Sequence, residues 1–580
     1  MNTFRPRLET FYHTHQNFIL LLLLFVSFRA FTLLAYRPGG LILDFSDFYW
    51  YREFAQLDRQ GYVPYHNLWT TYPPLFPVLM INIWKTSALL PPWEFNNLWF
   101  TLLLGSIFLL FEVGNFILLY LMALKIYSPQ DAFKPAWVYA GFFVPVYTVT
   151  GWFESYPLFF FLLSLYLLLI GRPYLSALAA GVGFMIKLIP LILLPIGAKL
   201  APQTGKWGRL QIRPLNIDFD ILGVIVYSVT FAVTVIAIAA PFYLQNPDLI
   251  LAPLQITSAR LPWETIWALF EGNYDYGVIP LDMRDMAWTP AGSPQSTLPW
   301  LWITAIFGLV YLFLYTRRID WGASKSVMAF TGLSICLFFL YSKGYSPQWL
   351  GWLLIFIALL LPNLRGVLYA IVLSLANLLE ANLFFIMFPQ EHWLLATTVL
   401  VRTGLIIVLA VEFGFIIWPR LETPSVIAIR RYALLIGCGV LLLASPLMAS
   451  RLLTAYTEQR LESGPYSRVI SWLREQPVKE AIVMNNHQAY DWFYPYLGQS
   501  HAFFMLDDYA GSPTSVETKT TRLYQTIKGQ YPALWVFDSD PAETTPAETT
   551  MFQHLTQAQL AHQADIDGGR LYLFILNDSQ

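Results

Sequence analysis

Residues 43–75 read LDFSDFYWYREFAQLDRQGYVPYHNLWTTYPPL and follow the first long apolar run of the chain. The stretch opens with two acids, Asp44 and Asp47, is rich in aromatic residues and closes on a double proline. Carboxylates placed just outside a first apolar run need an explanation, because charge is costly near lipid. How this stretch folds therefore decides how the rest of the chain is threaded.

The first part of the stretch predicts a short amphipathic helix. Ser46 is a residue type that can cap a helix running from Asp47 to about Asp58. A helix start also favours negative charge, so Asp44 and Asp47 can be explained as ordinary helix-start acids. The apolar positions recur at helical spacing and are expected to share one face: Phe48, Tyr51, Phe54 and Ala55.

Composition indicates a membrane protein with a soluble tail. The 580 residues are 56% hydrophobic and only 12% charged, against about 25% charged in soluble domains. Residues 451–580 carry 9 of the 35 basic and 15 of the 37 acidic residues, so we assign 1–450 to the membrane part and 451–580 to a soluble domain. No basic stripe indicates a nucleic-acid partner.

Eleven apolar runs are long enough to predict membrane spans. We interpret the first as an uncleaved span, because no small-residue cleavage site follows it. The predicted spans are 17–36, 97–123, 136–151, 155–171, 220–243, 298–316, 326–342, 348–363, 366–388, 393–418 and 432–450.

A twelfth run, 174–200, is predicted to be two half-helices that meet at Lys187 and Pro190. Proline cannot continue a helix cleanly, and broken helices at membrane depth are tolerated where they line a cavity. This choice gives about 13 crossings with the N-terminus inside. It leaves 16 Lys/Arg in inner loops and 7 in outer loops before the tail, as the positive-inside rule favours.

Two long outer regions follow from this threading, a cap at 37–96 and a second outer loop at 244–297. Within the cap, run 75–90 is predicted to be a re-entrant or surface helix, since a full span there would invert every later loop. The tail predicts a small extracytoplasmic α/β domain. Its strands are expected at 480–484, 501–506, 533–537 and 571–575, its helices at 466–475, 516–528 and 550–562, and a polar loop at 540–550.

The cap resembles the first outer loop of GT-C glycosyltransferases, most of all the polyprenyl-phosphate-mannose-dependent mannosyltransferases and those of GPI-anchor assembly. The residues that carry the resemblance are Asp47, Gly61, Pro64-Tyr65 and Tyr72-Pro73-Pro74-Leu75. The segment 183–195, GFMIKLIPLILLP, is similar to the Lys-x-x-Pro element of these enzymes, and 343–352, KGYSPQWLGW, to their Gln-aromatic element. The sharp motifs cover about 40 residues.

The resemblance implies an integral-membrane hexosyltransferase of the cell membrane, with its active site on the extracytoplasmic side. It implies a donor sugar, mannose in the nearest likeness, on a polyprenyl phosphate, and a glycolipid, glycan or protein acceptor. Asp47 falls where the family places its catalytic aspartate. Many members have Asp-x-Asp, whereas Phe45 holds the first acid position here and Asp44 lies one residue earlier.

A positioned carboxylate can deprotonate an acceptor hydroxyl, and we predict Asp47 for this role, with Asp44 and Glu264 as alternatives. Cations are needed where negative charge develops on the leaving phosphate. The candidates are Lys187, Arg260, Lys343 and Arg29. Each has a structural alternative: Lys187 and Arg29 can snorkel, Arg260 can pair with Glu264 on a helix, and Lys343 can be an ordinary interfacial lysine.

Aromatic faces with polar edges are suited to gripping sugars, and the residues predicted to bind sugar or acceptor are Tyr51, Tyr65, Tyr72, Trp263 and Gln348. No metal or other cofactor is required, because Lys and Arg can carry the phosphate charge. A divalent metal on Asp44 and Asp47 is an open alternative.

Other charged residues predict structure. Glu380 and Arg402 fall at similar depth in consecutive spans and are expected to form an ion pair. Glu154, in the short turn GWFES, is expected to be solvated, and Glu112 and Glu412 have no partner that the sequence reveals. Three other function classes remain open: a polymerase or ligase of lipid-linked glycans, a transporter or flippase of lipid-linked sugars, and a non-catalytic scaffold, which would leave the residues of the cap unexplained.

Overall fold

The computed structural model describes most of the chain in two compact units, Met1–Cys438 and Gly439–Gln580. The described residues are 4–35, 47–91, 98–201, 209–212, 217–275, 277, 295–421, 423–428, 430–432, 434–435, 450–451, 453–454, 457–458, 460–462, 464–476, 480–485, 487–498, 500–506, 513–541 and 545–576.

The first unit is a helical membrane domain. Six of its described helices contain stretches long and apolar enough to cross a membrane: Phe11–Ala35, Leu98–Ala123, Ile221–Tyr243, Ser324–Tyr341, Leu364–Met387 and His392–Ile417. Five further apolar helical stretches are shorter: Ser155–Leu169, Pro173–Phe184, Ile189–Leu200, Trp300–Tyr315 and Pro347–Leu360. The protein is therefore a polytopic membrane protein.

The helices of this unit follow the predicted runs closely. In chain order they are α1 (Phe4–Ala35), α2 (Phe48–Gln56), α3 (Leu75–Ser87), α4 (Leu98–Ala123), α5 (Phe133–Ala140), α6 (Phe143–Gly151), α7 (Ser155–Leu169), α8 (Pro173–Phe184), α9 (Leu193–Leu200), α10 (Ile221–Tyr243), α11 (Pro247–Ala259), α12 (Ile266–Glu271), α13 (Trp300–Tyr315), α14 (Ser324–Tyr341), α15 (Leu350–Leu360), α16 (Leu364–Leu378) and α17 (His392–Ile417). Run 432–450 lies mostly outside the described residues.

Three predicted spans are interrupted. Run 136–151 divides into α5 and α6, because the ring of Pro145 would clash with the carbonyl of Gly141 in a continuous helix. Run 348–363 opens with a 3₁₀ turn at Pro347–Trp349, and run 366–388 continues from α16 into a π-helical segment, Leu379–Met387. A hairpin of β1 (Arg209–Ile212) and β2 (Ile217–Asp220) stands where only a loop was expected.

The predicted break in run 174–200 is confirmed. Helix α8 ends at Phe184, Lys187 lies in the non-helical turn, and a 3₁₀ turn at Ile189–Ile192 leads into α9. The break leaves backbone groups free to bind the cap. The amide of Leu75 donates to the carbonyl of Met185 at 3.1 Å.

The cap folds on the membrane domain as a helix pair. The predicted helix is confirmed as α2 followed by a 3₁₀ turn at Leu57–Gln60, and run 75–90 forms the 13-residue α3. Ser46 lies outside the described residues, and Asp47 occupies the helix-start position without a side-chain capping bond. All four predicted apolar residues of α2 are buried, within a cluster that includes Phe76, Phe108 and Phe153.

The second unit is a mixed five-stranded sheet flanked by helices. Its strands are β3 (Ala481–Met484), β4 (Ala502–Met505), β5 (Ala533–Asp538), β6 (Gln559–Ile566) and β7 (Gly569–Ile575), in the order β4-β3-β5-β7-β6. Strands β4, β3 and β5 are parallel, and β7 is antiparallel to both β5 and β6. The helices are α18 (Ser467–Arg474), α19 (His487–Leu497), α20 (Pro513–Gln530) and α21 (Pro546–Leu555).

Two predictions for the tail are wrong. A helix was expected at 550–562, after a loop at 540–550. Helix α21 instead begins at Pro546, after a capping box of Thr545 and Glu548, and ends at Leu555. Strand β6 follows this helix. The Asp567-Gly568 turn, in which both residues have positive φ, then reverses the chain so that β7 pairs with β6.

Candidate functional site

One cavity of about 670 Å³ collects residues from the cap, the helix break and two later loops. Three of the four predicted phosphate-binding cations line it: Lys187 from the break, Arg260 from the end of α11 and Lys343 from the end of α14. Three of the predicted sugar-binding residues line it as well, namely Tyr72, Trp263 and Gln348. Segments more than 250 residues apart in the sequence therefore meet at this cavity.

Gln348 joins the cavity to Asp47. Its Nε2 donates to Asp47 Oδ2 at 3.1 Å, and the hydroxyl of Tyr51 donates to the same oxygen at 3.1 Å. The backbone of Asp47 is fixed too, because its amide donates to the carbonyl of Gly151 at 2.9 Å. Burial, with Asp47 beside it, raises the pKa of Tyr51 well above its usual range, so this phenol remains a hydrogen-bond donor.

Lys187 forms a buried ion pair with Glu154. The second oxygen of Glu154 accepts from Trp352 Nε1 at 2.7 Å. The ammonium also lies 5.0 Å from the ring centre of Phe153 and 4.9 Å from that of Trp349, distances at which aromatic rings attract a cation. The expectation that Glu154 is solvated is therefore wrong, since it is only 1% exposed.

Arg260 and Lys343 form the second cationic region of the wall. The Arg260 guanidinium stacks on the Trp263 indole at 3.7 Å and donates to the Gly277 carbonyl at 2.9 Å. Lys343 Nζ donates to the Ser258 carbonyl at 2.6 Å and the Arg260 carbonyl at 3.3 Å. Burial lowers the pKa of Lys343, and Arg260 adds to this effect while Glu271 opposes it.

The alternative in which Arg260 and Glu264 pair on a helix is wrong. Helix α11 ends at Ala259, and the segment 260–265 is not helical. Glu264 is 3% exposed and lies with Arg402 and Glu380, which form the buried ion pair expected from the sequence. Among the described residues, the cavity wall includes neither Glu264 nor Arg29.

Arg29, in the first span, has a structural partner on α4. Its Nε lies 3.9 Å from Glu112 Oε1, and its guanidinium stacks on the Phe25 ring at 3.4 Å. Tyr139 donates to the same carboxylate at 3.1 Å. Glu112 thus gains a partner that the sequence did not reveal, and so does Glu412, which lies 3.4 Å from Arg365 and 3.2 Å from Arg430.

Tyr65 contacts the cavity wall through Tyr72. It is fully buried at φ 65°, and its hydroxyl donates to the carbonyl of Tyr72 at 2.6 Å. Asp44 lies outside the described residues, so its role and a metal shared with Asp47 stay predictions. Within the described part of the chain, no group of three or more His, Cys, Asp or Glu side chains could hold a metal ion.

The residues that sequence reasoning missed are the partners of the charged groups and the remaining aromatic wall. Trp300 and Trp349 line the cavity, and Glu154 holds Lys187. A buried lysine needs a counter-ion, and the sequence predicts that much. Several acids could fill this role, and only the fold shows that it is Glu154.

The chain matches no protein-family model and no curated protein.

Proposed function

We propose that this protein is an integral-membrane glycosyltransferase that transfers a hexosyl group from a polyprenyl-phosphate sugar to an acceptor hydroxyl. One observation carries the proposal: a single cavity places Lys187, Arg260 and Lys343 around one space that Gln348 connects to Asp47. Cations for a phosphate and a carboxylate for a proton are the groups that this transfer needs.

In the proposed reaction Asp47 accepts the proton of the acceptor hydroxyl. The acceptor oxygen forms a bond to the anomeric carbon as the bond from that carbon to the phosphate oxygen breaks. The polyprenyl phosphate leaves with the bonding electrons, and attack from the opposite face inverts the anomeric configuration. Lys187, Arg260 and Lys343 stabilise the charge that develops on the phosphate, while Gln348 and Tyr51 orient Asp47.

The apolar part of the cavity supports a lipid-linked donor. Leu254 on α11 and Leu301 on α13 line the cavity and are 49% and 80% exposed. Both helices are rich in apolar residues, so these exposed leucines mark the side on which a lipid chain would enter. An apolar tail would lie between α11 and α13 while its phosphate meets the cations.

The remaining features of the proposal rest on the resemblance to GT-C enzymes and on charge distribution. They are about 13 crossings, an extracytoplasmic site and C-terminal domain, a mannosyl donor, and a glycolipid, glycan or protein acceptor. No residue of the C-terminal domain identifies the acceptor.

The test uses the full chain in nanodiscs with a panel of radiolabelled polyprenyl-phosphate sugars, and scores transfer to extracted membrane lipids. We expect Asp47→Asn to lose about 10²–10⁴-fold in transfer, the contribution of a general base, while donor binding persists. The matched control is Asp58→Asn in the same cap, where Asp58 pairs with Lys85 at 3.0 Å. Undiminished transfer by Asp47→Asn would reject the assigned base.

The same experiment separates the rival functions. A polymerase or ligase of lipid-linked glycans would consume preassembled lipid-linked oligosaccharides in place of the monosaccharide donors. A transporter or flippase would release no polyprenyl phosphate from any donor in the panel.

A further inference from the structure

A buried charged cluster lies next to the loop that presents Arg260 and Trp263 to the cavity. It consists of Arg402 on α17, Glu380 in the π-helical segment, and Glu264. The three residues are 2%, 0% and 3% exposed. Arg402 Nη1 pairs with Glu380 Oε2, and Arg402 Nη2 donates to the backbone carbonyl of Glu264. The guanidinium also stacks on the Tyr345 ring at 4.0 Å.

The backbone held by this cluster has an unfavourable conformation. Glu264 has φ 53°, in the left-handed region that residues with a side chain rarely adopt. Such a conformation persists only where the surroundings determine it. The bond from Arg402 to the Glu264 carbonyl is one constraint, and the burial of the Glu264 side chain against Glu380 is another.

This loop is also joined to the loop that carries Lys343. The amide of Trp263 donates to the Lys343 carbonyl at 3.0 Å, and the amide of Tyr345 donates to the Trp263 carbonyl at 3.2 Å. The hydroxyl of Thr265 donates to the Lys343 carbonyl at 3.1 Å. A shift at Glu264 is therefore expected to move both cationic loops together.

The charges of the cluster are unequal, because two carboxyl groups face one guanidinium. Within the described residues, Glu264 Oε2 and Glu380 Oε1 have no hydrogen-bond partner. Burial and the neighbouring Glu380 raise the pKa of Glu264 well above its usual range. A protonated Glu264 can donate to Glu380, and this arrangement leaves one negative and one positive charge.

We propose that Glu264 is a positioning residue which, held by Arg402 and Glu380, fixes the joined loops so that Arg260, Trp263 and Lys343 surround the donor phosphate. This inference rests on the proposed function for the identity of the ligand. It assigns Glu264 the role of a neutral hydrogen-bond donor, and it removes Glu264 from the candidates for the catalytic base. Glutamine, which has the same shape and an N–H donor, should replace it.

The first test needs no ligand. Hydrogen exchange of the full chain in nanodiscs is compared for wild type, Glu264→Gln and Glu264→Ala. We expect peptides covering 260–265 and 342–346 to exchange about tenfold faster in Glu264→Ala, as local opening becomes easier, and at the wild-type rate in Glu264→Gln. Peptides from α3, which lies in the same unit as Glu264, are the internal control for the folding of that unit. Unchanged exchange in Glu264→Ala would overturn the proposal.

The second test measures binding and turnover. Quenching of tryptophan fluorescence by farnesyl phosphate, with farnesol as the uncharged control, reports the phosphate site in the same nanodiscs. Glu264→Ala should bind farnesyl phosphate about tenfold more weakly and transfer sugar about 100-fold more slowly, as misplaced groups do. Glu264→Gln should restore both. Lost transfer in Glu264→Gln, with wild-type exchange and binding, would make Glu264 the base and overturn the positioning role.

The two tests fail in different ways. If the wild type binds farnesol as tightly as farnesyl phosphate, the proposed phosphate site is rejected, whereas the exchange result still decides whether Glu264 holds the loops. Glu380→Gln provides a second variant in case Glu264→Ala does not fold. It weakens the pair with Arg402, so we expect the same two peptides to exchange faster, and unchanged exchange would count against the proposal.

Discussion

Nε2 of Gln348 lies 3.1 Å from Oδ2 of Asp47, although the two residues are 301 positions apart in the sequence. Gln348 follows α14 and lines the cavity, whereas Asp47 begins the first helix of the cap. This hydrogen bond connects the proposed proton acceptor with the cavity that holds the proposed phosphate cations.

Replacing Gln348 by Leu should reduce sugar transfer more than it reduces donor binding. The change removes the amide that orients Asp47 and keeps a side chain of similar size. We expect transfer to fall about 10²–10³-fold, the range for loss of one oriented donor at a reacting group. Transfer assays and farnesyl phosphate titrations of the same nanodisc preparation measure the two effects. Equal losses in both would show that Gln348 acts only in binding.

Variants of the Lys187–Glu154 pair should affect the stability of the fold and the rate of sugar transfer differently. Breaking a buried ion pair by Glu154→Gln or Lys187→Met is expected to destabilise the fold by about 3–5 kcal/mol, because one charge is left without its partner. The double variant removes both charges and should recover most of that stability. It should not recover sugar transfer, because the phosphate loses Lys187. Thermal unfolding in detergent and the transfer assay provide the two measurements, and recovered transfer in the double variant would contradict the assigned role of Lys187.

Binding of farnesyl phosphate should weaken as the pH rises through the lowered pKa of Lys343. Lysine is charged below its pKa, so the attraction to phosphate is complete at lower pH and is lost at higher pH. Since burial lowers this pKa, the loss should begin below the range of an ordinary lysine, whose pKa is about 10.4. Titrations should start above pH 7.5, because a phosphate monoester ionises again near pH 6.

Lys343→Arg is the control for this pH dependence. Arginine stays charged over the whole range, so the decline assigned to Lys343 should disappear. If the variant shows the same decline as the wild type, another cavity group causes it.

Gly344→Ala should disturb the cavity, whereas Gly351→Ala should not. A Cβ at Gly344 would lie 1.9 to 2.2 Å from atoms of the Trp263 indole, whereas a Cβ at Gly351 would meet nothing within 4 Å. The indole must move in the first variant, and the stacked Arg260 must move with it. We expect about tenfold weaker binding of farnesyl phosphate, on the scale of one displaced charged contact. Equal binding by the two variants would show that the close packing of Trp263 on Gly344 is not required.

Much of the site could be predicted because local chemistry restricts it. A buried lysine beside prolines in an apolar run predicted a helix break, and the structure has that break at Lys187. The helical spacing of Phe48, Tyr51, Phe54 and Ala55 predicted the buried face of α2. The similar depth of Glu380 and Arg402 predicted their pair. In each case the residues that interact are close in sequence or occupy consecutive helices.

The sequence by itself determined the membrane character of the chain, the helix break, the cap helices and the types of side chain that chemistry would need. Only the tertiary structure decided that Glu154 is the partner of Lys187, that Arg29 belongs to Glu112, and that Glu264 lies with Arg402 and Glu380 instead of lining the cavity. The physical reason is that partner choice depends on distances between segments that lie 33 to 138 residues apart in the sequence. Hydrophobic periodicity specifies which face of a helix is buried, but not which distant charge it meets there.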